Sequence, residues 1–172
     1  MMRRLAPVIA LVILLSGCGY HVAGRGDLMP KTMKTISVQP FGNRTMLYKL
    51  ARLIPSDIGR EIISRTKYSL VEDSNQADAV LTGNVVNYFA YPTITDPKTA
   101  RATTIQVITI VQVTLTERAT GKVLFTRPGF EVRQRYEVAG DPKQYFDESG
   151  TAMDRISKDV ARSVVSAILE AF

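Results

Sequence analysis

The sequence predicts an α+β fold: a two-layer sandwich in which two helices pack on one face of a mixed four-stranded sheet, in the order β-α-β-β-β-α. Three observations carry this expectation. The segment 103–117 alternates Ile105, Val107, Val111, Val113 and Leu115 with Gln106, Gln112, Thr114 and Thr116, the pattern of a strand with one dry and one wet face. A late run places Met153, Ile156, Val160, Val164, Ala167, Ile168 and Ala171 on one helical stripe, with no Gly or Pro after Gly150. Between them, short turn signals separate three long β-prone segments, so consecutive strands return antiparallel rather than through a crossover. A chain of 172 residues suits one such domain, and 45% hydrophobic against 22% charged residues suits a folded one.

Taken in order, Thr35 to Phe41 opens the domain as a strand, with Ile36, Val38 and Pro40 alternating before the turn signal Gly42-Asn43. Leu47, Leu50, Ala51, Ile54, Ile58, Ile62 and Ile63 recur at helical spacing. Pro55 falls among them, and a proline in mid-helix costs ~3 kcal/mol. The main helix is therefore expected at Pro55–Thr66, with a helical or kinked lead-in from Leu47. Ser69-Leu70-Val71 is a candidate short strand, and Glu72 to Asn75 a polar turn. The first long strand is Ala79–Thr95, closed by the turn Asp96-Pro97-Lys98. Thr103–Glu117 is the second, followed by Ala119-Thr120-Gly121-Lys122. Lys122–Tyr136 is the third, distorted by a bulge or edge kink at Arg127-Pro128-Gly129. A loop begins at Asp141-Pro142, and the second helix is expected over Asp147–Phe172. A βα crossover joins the first strand to the rest.

The N-terminus sets the compartment. Met1-Met2-Arg3-Arg4 is a short positive region, and the apolar run Leu5 to Leu15 that follows is too short for the ~20 residues a membrane-spanning helix needs. It has the length of a secretory signal peptide. Leu15-Ser16-Gly17-Cys18 then resembles the bacterial lipobox. That resemblance implies cleavage before Cys18, which would carry a thioether-linked diacylglycerol and an amide-linked acyl chain. Two or more chains hold a protein firmly at a bilayer. Gly19 in the next position is compatible with sorting to the outer membrane. The expected organisation is a signal peptide at 1–17, a lipid-anchored tether at 18–34 and one α+β domain at 35–172.

Composition removes most chemistry. One Cys and one His exclude an internal disulfide and a structural zinc site. His21 lies three residues from Cys18 in the tether, not in a cleft where it could serve a catalytic triad. No G-x-S-x-G, H-E-x-x-H or phosphate-cradling Gly loop occurs. The chain is read as a non-enzyme with no cofactor and no metal. Lys and Arg number 22 against 16 acidic residues, and losing Arg3 and Arg4 with the signal peptide leaves 20 against 16, or +4. Export argues against nucleic acid as the partner of that charge. Lys98 and Arg101 lie in the loop between the first two long strands, Arg127, Arg133 and Arg135 along the third, and Lys143 after it. A meander brings that loop toward the end of the third long strand. Two readings stay open: a solvated cationic surface, or a site for a phosphorylated amphiphile held by charge-assisted hydrogen bonds.

Several segments together resemble the LPS-assembly lipoprotein (LptE) family. They are Cys18-Gly19-Tyr20-His21 with a Pro30-bearing linker, Ile36-Ser37-Val38-Gln39-Pro40-Phe41-Gly42-Asn43, Ala77-Asp78-Ala79-Val80-Leu81-Thr82-Gly83, Thr120-Gly121-Lys122-Val123-Leu124, and Asp159-Val160-Ala161-Arg162 in the late helix. The resemblance spans essentially the whole mature chain and rests on the order and spacing of the pieces. It implies an outer-membrane lipoprotein on the periplasmic side. Such a protein assists assembly of a large outer-membrane β-barrel (LptD-like), plugs it, and binds lipopolysaccharide (LPS). By location Lys98 and Arg101 are its candidate LPS contacts, with Arg133 and Arg135 an extension. The sequence ends at Phe172, without the polar tail of some relatives. The alternative is a lipoprotein regulator of a periplasmic peptidoglycan synthase, which also uses a tethered α/β domain.

Overall fold

Strand β5 (Ala102–Glu117) is the axis of the sheet, flanked antiparallel by β4 (Ala79–Thr95) and β6 (Val123–Glu137). Its alternation is realised residue by residue: Val107, Val111, Val113 and Leu115 are buried, while Gln106, Gln112, Thr114 and Thr116 stay partly open to solvent. On the far side of β4, β1 (Thr35–Val38) pairs with it in parallel, and β3 (Ser69–Leu70) pairs in parallel with β1. A further two-residue strand, β2 (Gly42–Asn43), also joins β4 in parallel. The order β3-β1-β4-β5-β6 is the meander plus βα crossover that the sequence predicts. The computed structural model describes residues 33–137 and 142–171. Residues 1–32, with Cys18 and His21, lie outside the described residues, as do the side chains of 142–149, with Lys143, Asp147 and Glu148.

The sheet has six strands where four were expected. Of the two additions, β3 falls within the candidate short strand Ser69-Leu70-Val71, and β2, at two residues, is too short to leave an alternating pattern. Two helices cover one face, α1 (Tyr48–Arg65) and α2 (Pro142–Glu170). Leu50, Ile54, Ile58 and Ile62 of α1 and Ile156, Val160, Val164 and Ile168 of α2 close over Leu81, Val85, Val107, Val111 and Val113 to form one core. The helices run in the same direction, because their contacts advance together. Lys49 Nζ meets Asp154 at 3.4 Å, Ser157 Oγ donates to Asp57 Oδ2 at 2.6 Å, and Arg65 Nη1 donates to Ser166 Oγ at 2.8 Å. Asp57 is buried in that interface and also accepts from Arg60 Nη1 at 2.9 Å.

The lead-in expected from Leu47 proves helical, whereas the second helix begins earlier than its pattern indicates. The lead-in to Pro55 is regular α-helix from Tyr48, with the proline inside it. Pro55 supplies no amide for the carbonyl of Ala51, and both residues line an open groove. The second helix starts at Pro142 rather than near Asp147, and proline suits the first helical turn.

The entry into β1 is tied down by one carboxylate. Asp78 Oδ2 accepts from the amides of Lys34 and Thr35 at 2.8 and 2.9 Å and from the Thr35 hydroxyl at 3.0 Å. The Asp78 carbonyl in turn accepts the Arg118 amide at 2.9 Å, and Arg118 Nε donates to the Ala77 carbonyl at 2.6 Å. Asp78 thus joins β1, β4 and the β5–β6 turn. Met33, in the stretch read as tether, is buried in the core beside this junction. Farther along β4, Gly83 lets the Phe41 ring lie on the sheet. A Cβ there would stand 2.5 Å from two ring carbons and 2.7 Å from the Gln112 carbonyl oxygen.

Two stability predictions follow from these contacts. Gly83→Ala, read by urea denaturation, should lose ~1–3 kcal/mol, the usual cost of overpacking. The amides of Lys34 and Thr35 hold the Asp78 carboxyl below its ordinary 3.8. A depressed folded pKa contributes stability that is present above the unfolded pKa and lost as pH falls through the folded one. At pH 7, Asp78→Asn should therefore lower the thermal midpoint by roughly 2–5 °C. The gap between the two proteins should close as the pH is taken below 3.8.

Candidate functional site

The two ends of β4 carry different features. At its start stands the Asp78 junction, where the chain arrives from the predicted tether. At its finish, the 96–101 connection turns back into β5. Since β4 runs through 17 residues at ~3.3 Å each, the two ends lie about 50 Å apart.

The connecting tip is pre-formed by Asp96. Its Oδ1 accepts the amides of Lys98 at 2.7 Å and Thr99 at 2.9 Å, and its own amide donates to the Arg101 carbonyl at 2.8 Å. The Thr99 and Lys98 amides hold the Asp96 carboxyl below its usual range. Ala100 closes the turn at φ 54°, in the left-handed region that non-glycine residues rarely occupy. Lys98 and Arg101 are thereby presented outward from an ordered loop, and neither forms an ion pair with any described residue.

Arg133 and Arg135 lie on the open face of the sheet, near the same end. Rows across the three strands read Phe89–Ile108–Arg133 and Tyr91–Gln106–Arg135. Arg133 is paired with Glu131, while Arg135 Nε lies 3.5 Å from Gln106 Oε1. Arg127 does not join them. It stands opposite Val113, well down β6, with its guanidinium 5.9 Å from the centre of the Phe130 ring. Pro128 and Gly129 form the bulge anticipated there, two residues facing the single Gln112.

The aromatic members of this face are not legible as such in the sequence. Continued alternation from Val85 would turn Phe89 and Tyr91 inward. A bulge at Val86 shifts the phase, because Val85 pairs with Val111 but Asn87 pairs with Ile110. Tyr88 consequently faces the helices, while Phe89 and Tyr91 are 48% and 43% exposed on the open face. The result is an amphiphilic surface: aromatic rings on one strand, guanidinium groups on the other edge, and two more cations at the tip.

Elsewhere, a chiefly apolar groove of about 710 Å³ runs between α1 and the ends of β1 and β3, with Arg52 and Glu72 the charged residues among the described ones that line it. Among the described residues no three His, Cys, Asp or Glu side chains are placed to hold a metal ion. No described helix is long and apolar enough to cross a membrane.

Solved structures with this fold include proteins that are themselves described as lipoproteins. A putative lipoprotein from Caulobacter crescentus superposes with a TM-score of 0.53 at 14% identity, over 78% of this chain and 87% of that one. A rare lipoprotein B from Shewanella oneidensis gives 0.50 at 15% identity, over 78% and 92%. A Xanthomonas campestris protein gives 0.54 at 10% identity, over 86% and 90%. At such identities these likenesses establish the fold alone. No curated protein matches the chain. The family comparison is specific: residues 33–168 match the LptE family, described as lipopolysaccharide-assembly, from the buried Met33 to the last turn of α2. The chain belongs to the LptE family of lipopolysaccharide-assembly proteins.

Proposed function

We propose that this protein is an outer-membrane lipoprotein, anchored on the periplasmic side through Cys18. In this reading it assists assembly of the β-barrel of an LPS translocon (LptD-like), plugs that barrel, and binds LPS during delivery to the cell surface. Family membership over residues 33–168 is the observation that carries it. The shape of the domain is favourable. An anchor joined to the Asp78 end leaves the cationic tip about 50 Å away, more than the ~40–45 Å depth of a bilayer with its headgroups. A domain of that length can sit along a barrel lumen with its tip toward the far side. The Thr- and Gln-bearing open face suits a hydrated lumen. Tethering at the bilayer raises the local concentration for capture by an integral partner.

In this reading Lys98 and Arg101 at the tip, with Arg133 and Arg135 on the adjoining face, meet the phosphates of LPS. Phe89 and Tyr91 offer apolar surface beside them for the acyl portion. No enzymatic step is needed, and the role is structural.

Affinity purification through the anchored full chain tests the assembly role. Recovery of a large β-barrel together with LPS is expected. Recovery of a peptidoglycan synthase without that barrel would replace this reading with a regulator of cell-wall synthesis. For the LPS contact, Lys98→Asp combined with Arg101→Asp should weaken LPS binding about tenfold or more at matched ionic strength, with the thermal midpoint unchanged. Unaltered affinity would remove these two residues from the site.

A further inference from the structure

A second cationic site lies on the opposite side of the sheet, where α2 crosses β6. A cleft of about 200 Å³ opens between them, lined by Gln134 and Tyr136 of β6 and by Arg155, Lys158, Asp159 and Arg162 of α2. Its floor is made by Ala152 and Ile156, 8% and 2% exposed. Arg155, Lys158 and Arg162 follow the i, i+3, i+7 spacing that stacks side chains on one helix face.

Their charge is poorly compensated. Asp159 is the only carboxylate among the described lining residues, and Arg162 Nη1 engages it at 3.2 Å. Arg155 and Lys158 form no ion pair with any described residue. Like charges at this helical spacing repel, which costs stability unless an anion lies between them. The apolar floor limits screening on one side, so a bound anion would be held more strongly there than on an open surface.

We propose that this cleft binds a phosphomonoester or diphosphate group. Arg155 and Lys158 supply the unspent charge, and Arg162 borders the bound group. The volume accommodates one such group with several waters, at ~30 Å³ each. The site is separate from the 96–101 tip in both element and face, and it does not depend on the barrel-plug reading. The same chemistry is offered by free phosphate compounds and by a phosphorylated lipid headgroup presented at the membrane.

The test uses the full chain in neutral maltoside micelles, titrated calorimetrically with inorganic pyrophosphate and, separately, with dodecyl phosphate doped into the micelles. Saturable binding of at least one probe is expected. Arg155→Gln with Lys158→Gln should weaken it tenfold or more, and Lys67→Gln with Lys122→Gln, two exposed cations away from both sites, should leave it unchanged. The charge-conserving pair Arg155→Lys with Lys158→Arg should retain most of the affinity, which separates charge from packing. Tighter binding of dodecyl phosphate than of pyrophosphate supports the site with a lipid headgroup as its source, and equal binding supports it with free phosphate. Absence of binding by both probes, equal affinity in wild type and the Arg155→Gln/Lys158→Gln protein, or an equal loss in the Lys67→Gln/Lys122→Gln protein would overturn the proposal. None of these outcomes bears on recovery of the barrel.

Discussion

The dry face of β5 is the constraint on which the rest of the structure depends. Val107, Val111, Val113 and Leu115 point one way and must be removed from water, so every neighbouring element is arranged to cover that side. The strands on either flank are held in register with it, and each meets the same demand by a local adjustment. In β4 the bulge at Val86 changes phase, and in β6 Pro128 and Gly129 absorb the mismatch opposite Gln112. The two helices then run in the same direction, because each follows a strand of the same sense, β1 or β6. Ser157 and Asp57 lock them together through a buried polar contact between them.

That arrangement divides the molecule into regions with different physical character. The covered face supplies stability. The end bearing Asp78 receives the chain from the predicted tether and binds three elements into one junction. The far tip carries Lys98 and Arg101 on a loop whose shape is dictated by one aspartate and one left-handed residue. Charges exposed in this way act at long range and are readily screened by salt. The α2–β6 cleft differs, because its cations stand over buried Ala152 and Ile156. Short-range phosphate chemistry suits the cleft better than steering does, whereas the tip suits first encounter with a charged amphiphile.

Much of the fold was legible because its long elements repeat one simple pattern. The alternation of β5 and the apolar stripe of α2 each extend over several turns or residue pairs, so no tertiary information is needed to assign them. Pro55 was readable as a disturbance that left a helical or a kinked lead-in open, and the structure shows the helix running through it. The strand β2 was hidden by its length, whereas β3 falls within the candidate strand Ser69-Leu70-Val71. Among the candidate contacts, the cations were visible as residue types, yet their grouping was not. Arg127 sits apart from Arg133 and Arg135 because of where the bulge falls, and Phe89 and Tyr91 reach the open face because of a second one.

By itself the sequence determined the α+β class, the order of the major elements, the scarcity of catalytic groups and the family to which the segments point. Those properties are written in local periodicity, composition and short motifs, which survive without knowledge of what packs on what. Only the tertiary structure decided which side chains share a surface. A single inserted residue in a strand reverses every side chain beyond it, and its position is set by pairing with a neighbour rather than by the strand's own residues. The same dependence assembled the α2–β6 cleft. Arg155, Lys158 and Arg162 read along the chain as an ordinary solvated helix face, and they become a concentrated site only where β6 closes the other wall.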